Sequence, residues 1–146
     1  MREILFKAKR IDNGEWVEGY LFDDGFENGR MFVGGLVIEE YHGTACDDWS
    51  ITGINFYEVD QSTICKCTGL KDKNGKLIWE NDIVAYWDAY STENGYAEAD
   101  CVGKVIWDNE TLSFQVTERL SAESYEVLDD CSVIGNIFDN TELMHE

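Results

Sequence analysis

A chain of 146 residues that is 44% hydrophobic and 13% aromatic can bury one core, or two small lobes sharing a core, and is too apolar to be disordered. No apolar run approaches the roughly 20 residues of a membrane span, and the charged residues within the first ten positions argue against a signal peptide. The net charge of −19 disfavours nucleic acid as a partner. We therefore expect a cytoplasmic protein that binds no membrane.

The charge is distributed unevenly along the chain. Residues 1–79 hold 14 acidic and 9 basic residues, a net −5, whereas residues 80–146 hold 16 acidic and 2 basic residues, a net −14. Such a half attracts basic proteins, although acidity can also serve solubility alone. The candidate partner surface consists of four acidic residues close together in this half, Asp88, Glu93, Glu98 and Asp100.

The first half of the chain predicts short strands, at residues 3–11, 16–22, 31–38 and 55–67. Asn13-Gly14 is a turn signal that joins the first two strands in a hairpin. In the second strand Trp16, Tyr20 and Phe22 share one face with Glu18, because alternate residues of a strand point the same way.

A polar loop is predicted at residues 39–50. Its segment 41–49 contains His42, Cys46, Asp47 and Asp48, and residues of these types can bind a metal or perform acid–base chemistry. Loops are commonly polar, however, and no second part of a catalytic arrangement accompanies this one.

The second half predicts strands at residues 77–86, 102–107, 112–116 and 131–138. Asn74-Gly75 predicts a tight turn with positive φ angles. Residues 87–100 are polar and acidic and indicate a long loop, with a hairpin tip if Asn94-Gly95 forms a turn. Residues 117–126 favour one or two helical turns.

Five cysteines are present, Cys46, Cys65, Cys67, Cys101 and Cys131, and an odd number without an export signal is typical of free thiols. Two residues apart on a strand, Cys65 and Cys67 point to one face, and we expect both to be buried. No second Cys/His cluster with zinc-ligand spacing exists, and no P-loop or dinucleotide fingerprint appears. We expect no metal, no cofactor and no catalytic residues.

The most specific pattern is TGLKDKNGKLIWENDIVA, residues 68–85, in which a turn, a short apolar run, an acidic break and a second strand follow one another. This order resembles YopX-like proteins, small proteins carried by bacteriophages and prophages. Residues 2–8 and 133–140 resemble the family's first and closing strands. Trp79, Asn81 and Thr141 stand where the family usually has tyrosine, glycine and proline. Asparagine tolerates a left-handed backbone, so we expect the turn at Asn81 to persist.

The resemblance implies a mostly β fold and a phage origin, and it carries over no catalytic residues. We predict one mainly β domain, residues 1–146, which could comprise an amino-terminal β-meander lobe (1–64) and a small, bent, SH3-like β-barrel lobe (65–146). The predicted function is that of a non-enzymatic accessory protein in the cytoplasm of a bacterial host, a binding or assembly module that engages a basic host or phage protein through its acidic half.

Three alternatives remain open. A homo-oligomer would have to use apolar or amino-terminal surface, because two −14 halves repel each other. A small barrel could bind nucleic acid by stacking bases on its aromatic side chains, although strands more often bury such side chains in a core. A metal-assisted hydrolase would use the 41–49 loop.

Overall fold

The computed structural model describes residues 5–26, 29–42, 47–92, 95–119, 124–127 and 130–145. These residues confirm the mainly β prediction. The strands are β1 (Phe6–Lys9), β2 (Trp16–Asp23), β3 (Met31–His42), β4 (Asp47–Val59), β5 (Cys65–Lys71), β6 (Leu77–Trp79), β7 (Asp82–Thr92), β8 (Gly95–Asp108), β9 (Ser113–Glu118), β10 (Ser124–Glu126) and β11 (Ser132–Asn136). Two 3₁₀ helices, Gln61–Thr63 and Thr141–Met144, complete the described part of the chain, and neither is long or apolar enough to cross a membrane.

The chain divides into two compact units, one within residues 3–66 and one from Cys67 to the carboxyl terminus. We call them the amino-terminal unit and the carboxyl-terminal unit. The amino-terminal unit is an antiparallel meander in which β1 to β4 pair in chain order, and β1 also pairs with the start of β5.

The first hairpin forms as predicted from Asn13-Gly14. Gly14 has a φ of +72°, and its N–H donates a hydrogen bond of 2.9 Å to the carbonyl of Arg10. The last strand of the meander returns to the first, because Arg10, just after β1, forms a β-bridge with Val59 at the end of β4. The Asp60 N–H donates to the Lys9 carbonyl at 2.8 Å, so the end of β4 lies beside the end of β1.

The predicted loop at 39–50 is wrong. β3 and β4 stay paired as far as His42 opposite Asp47, and only residues 43–46 between them lie outside the described residues. Strand propensity depends strongly on context, and here each strand satisfies the backbone groups of the other.

In the carboxyl-terminal unit, antiparallel strands follow the order β10-β9-β8-β7-β11, while β6 pairs with the later part of β5. The described strand pairs give this sheet an open order and do not by themselves close the predicted SH3-like barrel. The loop predicted at 87–100 is wrong, because β7 and β8 pair from Ile83 opposite Lys104 to Thr92 opposite Gly95. Asn94 lies outside the described residues. The helical turns predicted at 117–126 are wrong at both ends of that segment, since β9 runs to Glu118 and β10 (Ser124–Glu126) pairs with it, while residues 120–123 lie outside the described residues.

The stretch 68–85 organises this unit around a buried carboxylate. Asp72 is 6% exposed and accepts three backbone hydrogen bonds, from Asn74 (2.9 Å) and Lys76 (2.8 Å) within the turn and from Val133 (2.9 Å) on β11. These bonds, that from Val133 foremost, hold the pKa of Asp72 below its usual value although burial opposes the shift. One side chain thereby ties the turn to the closing strand.

The positive φ angles predicted for this stretch are found at Gly75 and Asn81 but not at Asn74. Gly75 has a φ of +81° and Asn81 has a φ of +71°. The second turn is fixed by the Asp82 carboxylate, which accepts the Trp79 N–H at 2.8 Å, and by the Asn81 N–H, which donates to the Val105 carbonyl at 2.8 Å. Asn81 therefore adopts the left-handed backbone at the position where the family usually has glycine.

Candidate protein-interaction face

The structure places the predicted acidic partner surface on a hairpin rather than on a loop. Asp88 lies on β7 opposite Ala99, whereas Glu98 and Asp100 lie on β8, opposite Ala89 and Trp87. Glu93 lies outside the described residues. The role of these four residues in binding a partner stays a prediction.

The segment 41–49 also forms a hairpin instead of a loop. His42 pairs with Asp47 and Tyr41 pairs with Asp48, while Cys46 lies outside the described residues. Across the described part of the chain, no three His, Cys, Asp or Glu residues lie close enough to hold a metal ion. A role of the segment 41–49 in metal binding stays a prediction.

The cysteine prediction is confirmed for β5. Cys65 and Cys67 are 1% and 6% exposed, and Lys66 between them is exposed, as expected for two thiols on the buried face of one strand. Neither forms a disulfide, and the same holds for Cys101 and Cys131. Buried thiols of this kind pack as small hydrophobic residues.

The most distinctive surface of the described residues lies on β2, β3 and β4 of the amino-terminal unit. The strand register brings together six apolar residues, which we call the outer aromatic face: Tyr20, Phe22, Phe32, Leu36, Ile54 and Phe56. Four of them are more than half exposed, at 55% for Tyr20, 53% for Phe22, 57% for Leu36 and 68% for Ile54. Contiguous exposed apolar residues of this extent are typical of interaction sites.

Strand alternation explains why these residues are outside. Leu21, Val33 and Val59 point toward the core of the amino-terminal unit, so their neighbours along each strand point away from it. Among the side chains that the structure describes, the buried hydrophobic members of that core are Ala8, Val33 and Val59.

Gly34 shapes the centre of the outer aromatic face. A Cβ atom at this position would overlap the Asn55 carbonyl oxygen, so β3 can approach β4 this closely only with glycine. On either side of β3, the rings of Phe22 and Phe56 meet edge to face, with centroids 5.0 Å apart. The result is an entirely apolar depression of about 400 Å³ lined by Phe22, Phe32, Leu36, Ile54 and Phe56.

A second cavity of the same unit, about 640 Å³, is bordered by charged residues that already have partners. Arg10 forms an ion pair of 2.6 Å with Asp12 and lies 3.9 Å from the centre of the Tyr57 ring. The hydrogen bond from Arg10 lowers the pKa of Asp12. Arg30 lies 3.6 Å from Glu58. These pairings are consistent with a structural role for the cavity.

The sequence contained one signal for the outer aromatic face. Glu18 shares a strand face with Tyr20 and Phe22 in the predicted pattern, and a carboxylate on that face indicates solvent rather than core. The expectation that the aromatic residues are mainly core is wrong for Tyr20, Phe22, Phe26 and Trp87, each of which is at least half exposed.

Comparison with known proteins gives the family. The model of the family described as YopX protein matches residues 28–145, most of the chain. The chain belongs to the YopX family. Among solved structures it is similar to protein EF1440 from Enterococcus faecalis, with 24% sequence identity, a TM-score of 0.54 and coverage of 99% of this chain and 100% of that one. At this identity the likeness shows a shared fold. No protein with a curated description matches the chain.

Proposed function

We propose that this YopX family member is a non-enzymatic binding or assembly module that docks another protein on its outer aromatic face. The observation that carries the proposal is the exposure of Phe22, Leu36 and Ile54 on three adjacent strands around an apolar depression. Leaving such a surface in water is unfavourable for a monomer, and a protein contact removes the unfavourable hydration.

Protein suits this face better than nucleic acid does. None of its six residues is charged, and Arg30, which lies 5.8 Å from the centre of the Phe32 ring, is paired with Glu58. Exposed aromatic rings can stack on bases, but affinity for nucleic acid comes largely from cations that replace counterions on phosphates. A chain with a net charge of −19 lacks that contribution.

A second contact is proposed for the acidic half. The net charge of −14 over residues 80–146 favours a basic host or phage protein, and the hairpin of β7 and β8 that carries Asp88, Glu98 and Asp100 is the candidate location. Charge complementarity of this kind mainly raises association rates and weakens with salt. The resemblance to phage and prophage proteins supports an accessory role in a bacterial cytoplasm.

The test compares three tagged baits in a bacterial host lysate: the parent protein, Ile54→Thr and Ile11→Thr. Ile11 is a matched control, because it is an isoleucine of similar exposure (60% against 68%) in the same unit and outside the outer aromatic face. We expect Ile54→Thr to lose a partner protein that the parent and Ile11→Thr both retain.

Equal recovery of every bound protein by all three baits would refute docking of a foreign protein on this face. A gel-shift titration at about 50 mM salt tests the nucleic-acid alternative, since low salt gives nucleic acid its best chance. Micromolar binding there that weakens steeply with salt would replace the proposal.

A further inference from the structure

We propose that the occupant of the outer aromatic face is a second copy of this chain, so that two chains form a symmetric dimer through their amino-terminal units. The inference rests on the proposed function and names the partner. It follows from the size of the face, from its charge and from the distribution of charge along the chain.

The size of the face suits a homodimer. Fully exposed aromatic side chains present roughly 150–250 Å² each. Two aromatic residues, Tyr20 and Phe22, and two aliphatic residues, Leu36 and Ile54, are each a little more than half exposed and together present on the order of 400 Å². A standard interface buries about 800 Å² per partner, and in homodimers about 65% of it is apolar. The outer aromatic face would supply most of the apolar part of such an interface.

The composition of the face is self-complementary. In a symmetric dimer the same patch serves both partners, so every charged group in it would be brought near its own copy. Tyr20, Phe22, Leu36 and Ile54 bring no charge to the contact. Two carboxylates share this side of the strands beyond the face: Glu18, and Glu58, which is paired with Arg30 at 3.6 Å. The depression between Phe22, Phe32 and Phe56 can accept an apolar side chain of the other copy.

The charge distribution selects the same region. The face lies within residues 20–56, in the part of the chain with a net charge of −5, and not in residues 80–146 with −14. Two acidic chains can therefore associate most readily here. Because the whole chains still repel each other, added salt should strengthen the dimer by screening, whereas binding of a basic partner weakens with salt.

The experiment measures self-association of the full chain by sedimentation equilibrium between about 1 and 100 μM, at ionic strengths of about 50 and 500 mM. Variants Ile54→Glu and Ile11→Glu add the same charge at two isoleucines of similar exposure. We expect the parent to dimerise, and to do so more tightly at the higher ionic strength. Ile54→Glu should raise the dimer Kd at least about tenfold, with Ile11→Glu within about threefold of the parent. Urea unfolding confirms that both variants are folded.

Each outcome decides the point. A parent that stays monomeric at the highest concentration in both salts, or an Ile54→Glu variant that dimerises like the parent, would overturn the dimer. A monomeric parent whose lysate partner is still lost in Ile54→Thr would leave the proposed function intact and assign the face to a foreign protein. If Ile54→Glu leaves the dimer unchanged and Ile54→Thr retains every lysate partner, both the dimer through this face and the proposed docking function are refuted.

Discussion

The two units of this protein place their apolar side chains differently. In the carboxyl-terminal unit, seven buried residues form one core, and Ile78, Val84 and Val105 among them have no exposed surface. In the amino-terminal unit the buried core residues among the described side chains are Ala8, Val33 and Val59, while larger side chains such as Phe22 and Ile54 are exposed. The carboxyl-terminal unit uses its apolar residues for its own stability. The amino-terminal unit keeps many of its apolar residues on its surface, which is the pattern expected of a unit that binds a partner.

The largest expected effect tests this contrast with two isoleucines. Ile78→Ala removes fully buried methyl and methylene groups and leaves a cavity, so it should lower the free energy of unfolding by about 2–5 kcal/mol. Ile54→Ala removes the same groups from a side chain that is 68% exposed. It should change the free energy of unfolding by less than about 0.5 kcal/mol at a concentration where the chain is monomeric. Urea unfolding measures both. Equal losses would show that the outer aromatic face is part of a folding core.

The next effect concerns the shape of the outer aromatic face. Gly34→Ala places a Cβ against the backbone of Asn55, whereas a Cβ at Gly35 meets nothing within 4 Å. We expect Gly34→Ala to destabilise by about 1–3 kcal/mol through overpacking. Gly35→Ala should be neutral or slightly stabilising, because alanine restricts the unfolded chain. Thermal unfolding monitored by circular dichroism compares the two, and equal melting temperatures would contradict the close approach of β3 and β4.

A third comparison tests the turn in the carboxyl-terminal unit. Gly75 has a φ of +81°, a conformation that a β-branched residue rarely adopts. Gly75→Val should therefore cost roughly 1–3 kcal/mol. Gly53→Val is the control, since Gly53 lies in strand β4 with open space at its Cβ position. A Gly75→Val variant as stable as the parent in urea would show that the turn can rearrange without loss.

The smallest effect is a dependence on pH. The pKa of Asp72 is lower in the folded protein than its ordinary value of 3.8, so its contribution is fully present above about pH 4. The contribution is lost as the pH falls through the folded pKa, because protonation weakens the bonds accepted from Val133, Lys76 and Asn74. Asp72→Asn should be less stable than the parent at pH 6, and the difference should shrink toward pH 3. Urea midpoints of the parent and of Asp72→Asn, measured from pH 6 to pH 3, test this expectation. A stability difference between the two that grows on acidification would contradict it.

The local turns were predictable from the sequence alone. Gly14, Gly75 and Asn81 adopt the expected positive φ angles because that preference depends on the residue itself and its immediate neighbours. The burial of Cys65 and Cys67 follows equally from strand alternation in an apolar run. Together with the stretch 68–85, these features were enough to establish the mainly β class and the family.

Only the tertiary structure decided how far the strands extend and which of their faces meets solvent. The polar segments at 39–50 and 87–100 carry no strong strand signal, yet they pair because each strand satisfies the backbone groups of the other. Alternation placed Tyr20 and Phe22 together but left their environment undetermined. That environment depends on whether other residues cover the face, and here the buried residues Val33 and Val59 point to the opposite side of the strands.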